Sequence, residues 1–480
     1  MKPMMRRSFH LSMLLPATLA AQGTSPWTKP PVLPSTPALS VPAVKASALP
    51  NGIQLRVVEQ HELPLVQVTL TVTGGSRLDA QTPGIATFMA GMLDEGAGTR
   101  DALALQSELA FLGASLFTTA DWDRFTVSLK VPVRTLPAAL ALMSDVVMKP
   151  SFRAEEVRRQ RDLRLTSLLQ ARDQPNTLAS LAFNQAVFPA DHPYARNASG
   201  DSVTVARYDS ALVRRFYEGA MRPDRASLFV VGAISEEQAK TLLTRHLGGW
   251  RATGAAIPLP AAPATVAHPA TTRVWLVDKP EAAQSVIMIG WPGVDRTSPD
   301  YAALQVMNTL LGGSFTSRLN MNLRETKGYS YGASSGFTWR VVPGPFIASS
   351  SVRTNVTDSS LVEIFKELRG VRDGLVPTEE LDRAKAFVEL GLPGTLESTS
   401  QVAGQMAQLA TFGLTLEELP RLVERVRAVT AADVQRVARQ YLTPDKAHVV
   451  VVGDLATVKA PVEALGLGTA TILEVAKIAR

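Results

Sequence analysis

Pro223-Asp224-Arg225-Ala226-Ser227-Leu228-Phe229-Val230-Val231-Gly232 and Pro444-Asp445-Lys446-Ala447-His448-Val449-Val450-Val451-Val452-Gly453 are two versions of one pattern. Each starts with a Pro-Asp turn, because proline presets φ for a turn and cannot continue a helix. Each then runs as a β-branched strand closed by glycine. A helical run ending in tyrosine precedes both, from Asp209 to Tyr217 and from Asp433 to Tyr441, with the same internal spacing. One such match can arise by chance. A second at the equivalent place beyond a linker argues duplication.

That linker is AAIPLPAAPATVAHPA, residues 255–270, where repeated proline holds the preceding residues extended. The expected organisation is therefore two homologous domains, 46–254 and 272–480, joined by a Pro/Ala linker at 255–271. A Pro-, Ser- and Thr-rich leader at 21–45 precedes them. Gly52–Val58 and Leu65–Val72 read as a hairpin of strands, with Val66, Val68, Leu70 and Val72 in period two. Thr82–Leu93 and Leu103–Leu112 read as helices, and Asp123–Val131 as a further strand. Val274–Val277 and Ser285–Ile289 repeat the opening strands. Strands followed by helices packed on one face give an α+β fold made of two α/β sandwiches.

The net charge of +6 is spread along the chain. RAEEVRRQRDLR at 153–164 mixes both signs, which is a solvated helix face and no nucleic-acid patch. Lys2, Arg6 and Arg7, an apolar stretch from Leu11 to Leu19 and small residues at Ala20 and Ala21 form a signal peptide over 1–20. The expectation is an exported, periplasmic protein. No run reaches the roughly 20 apolar residues of a stable membrane span. With no cysteine, neither a disulfide nor a thiolate nucleophile is available.

The chemistry is thin. Of His10, His61, His192, His246, His268 and His448, no two stand three to five residues apart, so no helix turn carries a zinc-binding pair. No nucleophile elbow, P-loop or dinucleotide fingerprint occurs. Asp94 and Glu95 read as a solvated helix end. Arg324 and Tyr331, seven apart in LRETKGYSYG, allow two readings: a helix-closing arginine with a sheet-packed aromatic, or a paired site. Gly312-Gly313-Ser314 allows a helix C-cap or a backbone that a ligand approaches closely.

The segment LPNGIQLRVVEQHELPLVQVTLTVTGGSRLDAQTPGIATFMAGMLDEG, residues 49–96, resembles the start of the M16B peptidases, the insulinase or pitrilysin type. HPYARNASG at 192–200 and LGGSFTSRLNMNLRETKGYSYGASSGF at 311–337 are similar to later motifs of that family, in the family's order. The resemblance implies the fold of these enzymes, the LuxS/MPP-like metallohydrolase type. It also implies an H-x-x-E-H motif on the helix after Gly-Ile-Ala, two histidines binding zinc and a glutamate activating water. This sequence has Thr87, Ala90 and Gly91 in those places. The family's third ligand, counted from the Asp173-Gln174-Pro175 landmark, falls on Thr166 or Ser167. Zinc needs about three protein ligands and a water position, which these side chains do not supply.

The resemblance further implies that Arg324 and Tyr331 are the family's second-half pair, the arginine holding a substrate carbonyl and the tyrosine donating to the oxyanion. Gly312, Gly313 and Ser314 are then a substrate-binding glycine-rich loop. A chain with the pair and without the metal is similar to the non-catalytic subunit of M16B heterodimers. The expected partner is a homologous zinc-bearing subunit, with zinc bound there and none here, and the expected substrates are peptides. The alternative is a peptide-binding or scaffold protein with no part in catalysis.

Overall fold

The computed structural model describes residues 38–261 and 265–479. The signal-peptide reading of 1–20 and most of the Pro-rich leader lie outside the described residues. The leader's last residues pack down: Leu39, Val41 and Val44 lie on the hydrophobic cluster that includes Phe229 and Met406.

Among the described residues the first half builds a six-stranded sheet from β1 (Lys45–Ala48), β2 (Gln54–Glu59), β3 (Leu65–Thr73), β4 (Ser115–Ala120), β5 (Arg124–Pro132) and β6 (Ala226–Gly232), in the order β1-β2-β6-β3-β5-β4. The second half builds another from β7 (Arg273–Asp278), β8 (Gln284–Pro292), β9 (Ser330–Phe337), β10 (Pro345–Arg353), β11 (His448–Gly453) and β12 (Ala470–Leu473), in the order β12-β7-β11-β8-β10-β9. Five strands match in order, β2-β6-β3-β5-β4 with β7-β11-β8-β10-β9, while the edges differ: β1 precedes β2 in the chain and runs antiparallel to it, and β12 follows β11 and runs parallel to β7. The duplicated strands β6 and β11 hold the same place, each parallel to one opening strand and antiparallel to the other.

This arrangement corrects the expected hairpin. β2 and β3 do not pair with each other, because β6 lies between them, and β11 likewise separates β7 from β8. The physical reason is burial. Leu228, Phe229, Val230 and Val231 are all essentially inaccessible, and so continuous an apolar strand is stable only in the interior of a sheet covered on both faces.

Both faces are indeed covered, and the second cover is exchanged between the halves. One face of the first sheet, with Leu55, Val68, Leu70 and Val230, packs on its own helices, among them α1 (Ile85–Met92) and α2 (Ala154–Ala171). α3 (Pro175–Val187), which follows directly, leaves that core. Its Leu178, Ala179, Ala182 and Phe183 pack on Val286, Val450 and Val452 of the second sheet. Conversely α4 (Thr399–Thr411) lays Val402, Ala403 and Met406 against Val58, Phe229 and Val231 of the first. A Ser398/Gln401 capping box starts that helix. The polar alternate positions of β3 are therefore buried: Gln67 is 3 % exposed, and its side-chain carbonyl accepts from Ser400 Oγ at 2.9 Å. At Gly290 an added Cβ would fall 2.7 Å from Cζ of Phe183 and 2.0 Å from the Phe346 carbonyl, so the glycine leaves room for the incoming ring.

Candidate functional site

The helix that the family resemblance assigns to the metal is well built and poorly equipped. Asp79 fixes its start, its carboxylate accepting from the backbone N–H groups of Gly84 and Ala86, both at 2.9 Å. Thr87 donates through Oγ1 to the Ala198 carbonyl at 2.7 Å and accepts from Arg164 Nη1 at 3.1 Å. The same Nη1 donates to the Ser199 carbonyl at 3.1 Å, and the guanidinium lies 6.0 Å from the centre of the Phe88 ring. Ala90 is fully buried, whereas Gly91 is exposed with open space around it.

Thr166 and Ser167 lie on α2 and are exposed. Their hydroxyls return to the helix, Thr166 Oγ1 to the Asp162 carbonyl and Ser167 Oγ to that of Leu163, each at 3.0 Å. Asp94 and Glu95 are not a solvated helix end. Thr118 donates to Asp94 at 3.1 Å, burial pushes the Asp94 carboxyl above its usual range, and Glu95 is engaged by Arg159 and Gln160. Among the described residues no three His, Cys, Asp or Glu side chains converge on one point. An uncharged hydroxyl, a methyl and a glycine beside a fixed guanidinium do not fit zinc, which needs anionic or imidazole ligands and is repelled by a neighbouring cation. Arg164 was invisible to sequence reasoning. It stands in a run of mixed charges, and only the fold brings it to Thr87.

The second-half residues form a different arrangement. Helix Tyr301–Asn308 widens into a π-turn at Thr309–Gly313, and a second π-turn spans Met321–Thr326. Such widened turns recur where a helix must deliver backbone or side chains to a site. Gly312 is buried, and a Cβ there would fall 2.4 Å from the backbone nitrogen of Ser335, so its glycine lets the turn touch β9. Gly313 is exposed, and Ser314 donates to the Thr309 carbonyl at 3.1 Å. Ser314 lines an apolar cavity of about 500 Å³ with Leu310, Phe387 and Leu390.

Arg324 sits in the last turn of the second widened segment. Asn322 anchors that segment, its amide donating to Glu363 at 2.9 Å and Glu367 at 2.7 Å. Asn322, with Lys327 and Lys366, holds the Glu363 carboxyl down at about 2. The Arg324 guanidinium lies 4.7 Å from the centre of the Phe315 ring, and its Nε is 3.2 Å from Glu325. Tyr331 lies within an irregularity in the β9–β10 register between Ser330 and Ala333. There Ser330 Oγ accepts from the Gly332 N–H at 2.9 Å, the kind of bulge that re-aims a side chain. Tyr331 is 88 % exposed. Arg324 and Tyr331 open on one cavity of about 790 Å³, which Tyr329 also lines; Tyr329 is half-buried and its carbonyl accepts from the Arg353 N–H at 3.1 Å.

Fold and site together define a duplicated α/β protein of metallopeptidase build in which no metal-ligand cluster occurs among the described residues. Comparison with known proteins agrees. Residues 56–192 match the model of insulinase, peptidase family M16, and residues 209–388 match that of the peptidase M16 inactive domain. The chain is 27 % identical to an uncharacterized zinc protease of Mycobacterium bovis, covering 85 % of this chain and 93 % of that one. It is 24 % identical to the mitochondrial-processing peptidase subunit beta of Lentinula edodes, over 84 % of this chain and 88 % of that one. Among solved structures, the peptidase M16 inactive domain from Pseudomonas fluorescens superposes with a TM-score of 0.79 at 27 % identity, covering 85 % of this chain and 98 % of that one. A protease from Helicobacter pylori shares the fold, with a TM-score of 0.80 at 19 % identity, over 86 % and 100 % of the two chains. The chain belongs to peptidase family M16, as a member lacking the catalytic motif.

Proposed function

We propose that this chain is the non-catalytic subunit of an exported, periplasmic M16 zinc peptidase. Zinc and the general base belong to a homologous partner subunit, and this chain contributes Arg324 and Tyr331 to the shared site. The observation that carries the reading is the pairing of Arg324 with Tyr331 on one open cavity, while Thr87, Ala90 and Gly91 hold no metal ligand. Arg324 fixes a substrate carbonyl in register, and the Tyr331 hydroxyl donates to the oxyanion as it forms. Gly313 and Ser314 border the peptide path, and Gly312 holds their turn against β9. The relatives named as zinc proteases and as a processing-peptidase subunit support this class of function.

The test is a cleavage assay on a peptide mixture with this chain alone, an H-x-x-E-H family member from the same organism alone, and both together. Cleavage that rises on mixing supports the reading. Equal cleavage with and without this chain, for every such member, contradicts it.

A further inference from the structure

A second guanidinium faces the cavity that Arg324 and Tyr331 open on. Arg353 is the last residue of β10 and pairs in register with Gln284 at the start of β8. Its backbone N–H donates to the Tyr329 carbonyl, so the strand end is tied to the turn that delivers Tyr331. Its side chain is exposed and lines the cavity with Arg324, Tyr331, Gln284 and Glu325. Arg353 enters none of the ion pairs formed among the described residues, and Glu325 is already matched to Arg324 at 3.2 Å. The cavity is thus lined by two arginines, a glutamine, two tyrosines and a serine against one committed carboxylate. What it lacks is a second acid. A guanidinium fork matches the two oxygens of a carboxylate in one plane, and binding strengthens where the walls limit solvent.

We propose that Arg353 is a specificity-determining residue that recognises a carboxylate on the bound peptide, either an acidic side chain or a free C-terminus. This rests on the reading that peptides occupy the Arg324–Tyr331 face, but it requires neither partner nor cleavage.

The experiment measures fluorescence anisotropy of the full chain at low salt with three fluorescein-labelled ten-residue peptides of otherwise equal sequence. One has an internal glutamate and an amidated end, one a glutamine and a free end, and one a glutamine and an amidated end. The first or second binds roughly tenfold more tightly than the third, and which one does so names the source of the carboxylate. Arg353→Met abolishes the preference with the circular dichroism spectrum unchanged, and Arg353→Lys retains part of it. Equal binding of all three peptides, no binding of any, or a preference that survives Arg353→Met overturns the proposal. Failure of the mixing assay would count against the subunit reading and leave this result standing.

Discussion

The Arg164 guanidinium donates to the Thr87 hydroxyl at 3.1 Å, on the helix to which the family resemblance assigns the metal motif. The contact joins α1, α2 and the 198–199 backbone through one cation. The motif positions therefore differ from a zinc site in more than their side chains, since a fixed positive charge stands beside Thr87.

Restoring the motif alone should consequently fail. Thr87→His, Ala90→Glu and Gly91→His together, with Arg164 kept, are expected to yield protein with well under one zinc per chain by elemental analysis. Adding Arg164→Ala and Ser167→Glu raises the content toward one, because the repelling cation goes and an acidic ligand arrives. A full equivalent of zinc in the triple variant would contradict the electrostatic part of this account.

The exchanged helices make each half depend on the other. Phe183 belongs to the first half by sequence and is buried against the second sheet. Phe183→Ala is expected to cost about 3–5 kcal/mol, read from the denaturant midpoint, as for any large core truncation. Unfolding should remain a single transition, since α3 and α4 couple the halves. Two separate transitions, with only one shifted, would count against that coupling.

Gly312 and Gly336 offer a matched pair of substitutions. A Cβ at Gly312 meets the Ser335 nitrogen at 2.4 Å, while one at Gly336 meets nothing within 4 Å. Gly312→Ala should destabilise by about 1–3 kcal/mol as an overpacked contact, and Gly336→Ala should be near neutral. Differential scanning calorimetry of the two variants checks the contrast.

His448 gives the fold a pH dependence of definite sign. It is 5 % exposed, and its Nδ1 accepts from Trp275 Nε1 at 3.3 Å. Burial, with Arg273 and His268 nearby, pushes its pKa from 6.5 down to about 4. The folded state thus favours neutral imidazole, so this contribution is complete above pH 6.5 and is lost as pH falls toward 4. The loss is on the order of 2 kcal/mol after allowance for solvent screening. His448→Asn keeps an acceptor for Trp275 and should flatten the urea-stability profile across that window. An unchanged slope between pH 6.5 and 4 would refute the assignment.

Much of the fold was legible because its signals are local. Val66, Val68, Leu70 and Val72 alternate as a strand must, and the Pro-Asp repeats mark equivalent strands. Pairing was less legible. The short stretch between Val58 and Leu65 suggests a hairpin, and nothing local announces that a strand from residue 226 onward inserts there. The exchanged helices were hidden for the same reason, since the apolar face of Leu178, Ala182 and Phe183 does not say which sheet it covers. In the site, Thr87, Ala90 and Gly91 became meaningful only through the family resemblance, which assigns the metal motif to those places. Arg164 and Arg353 could not be read even so, because each acquires meaning only from neighbours distant in sequence.

The central claim is that Tyr331 serves a partner's chemistry. The most direct measurement is the peptide-cleavage rate of this chain mixed with the proposed zinc-bearing partner, comparing wild type with Tyr331→Phe at equal partner occupancy. Removal of one oxyanion donor should lower kcat by about 10²–10³ with little change in KM. A Tyr331→Phe mixture that cleaves at the wild-type rate would show that the exposed tyrosine takes no part in the reaction.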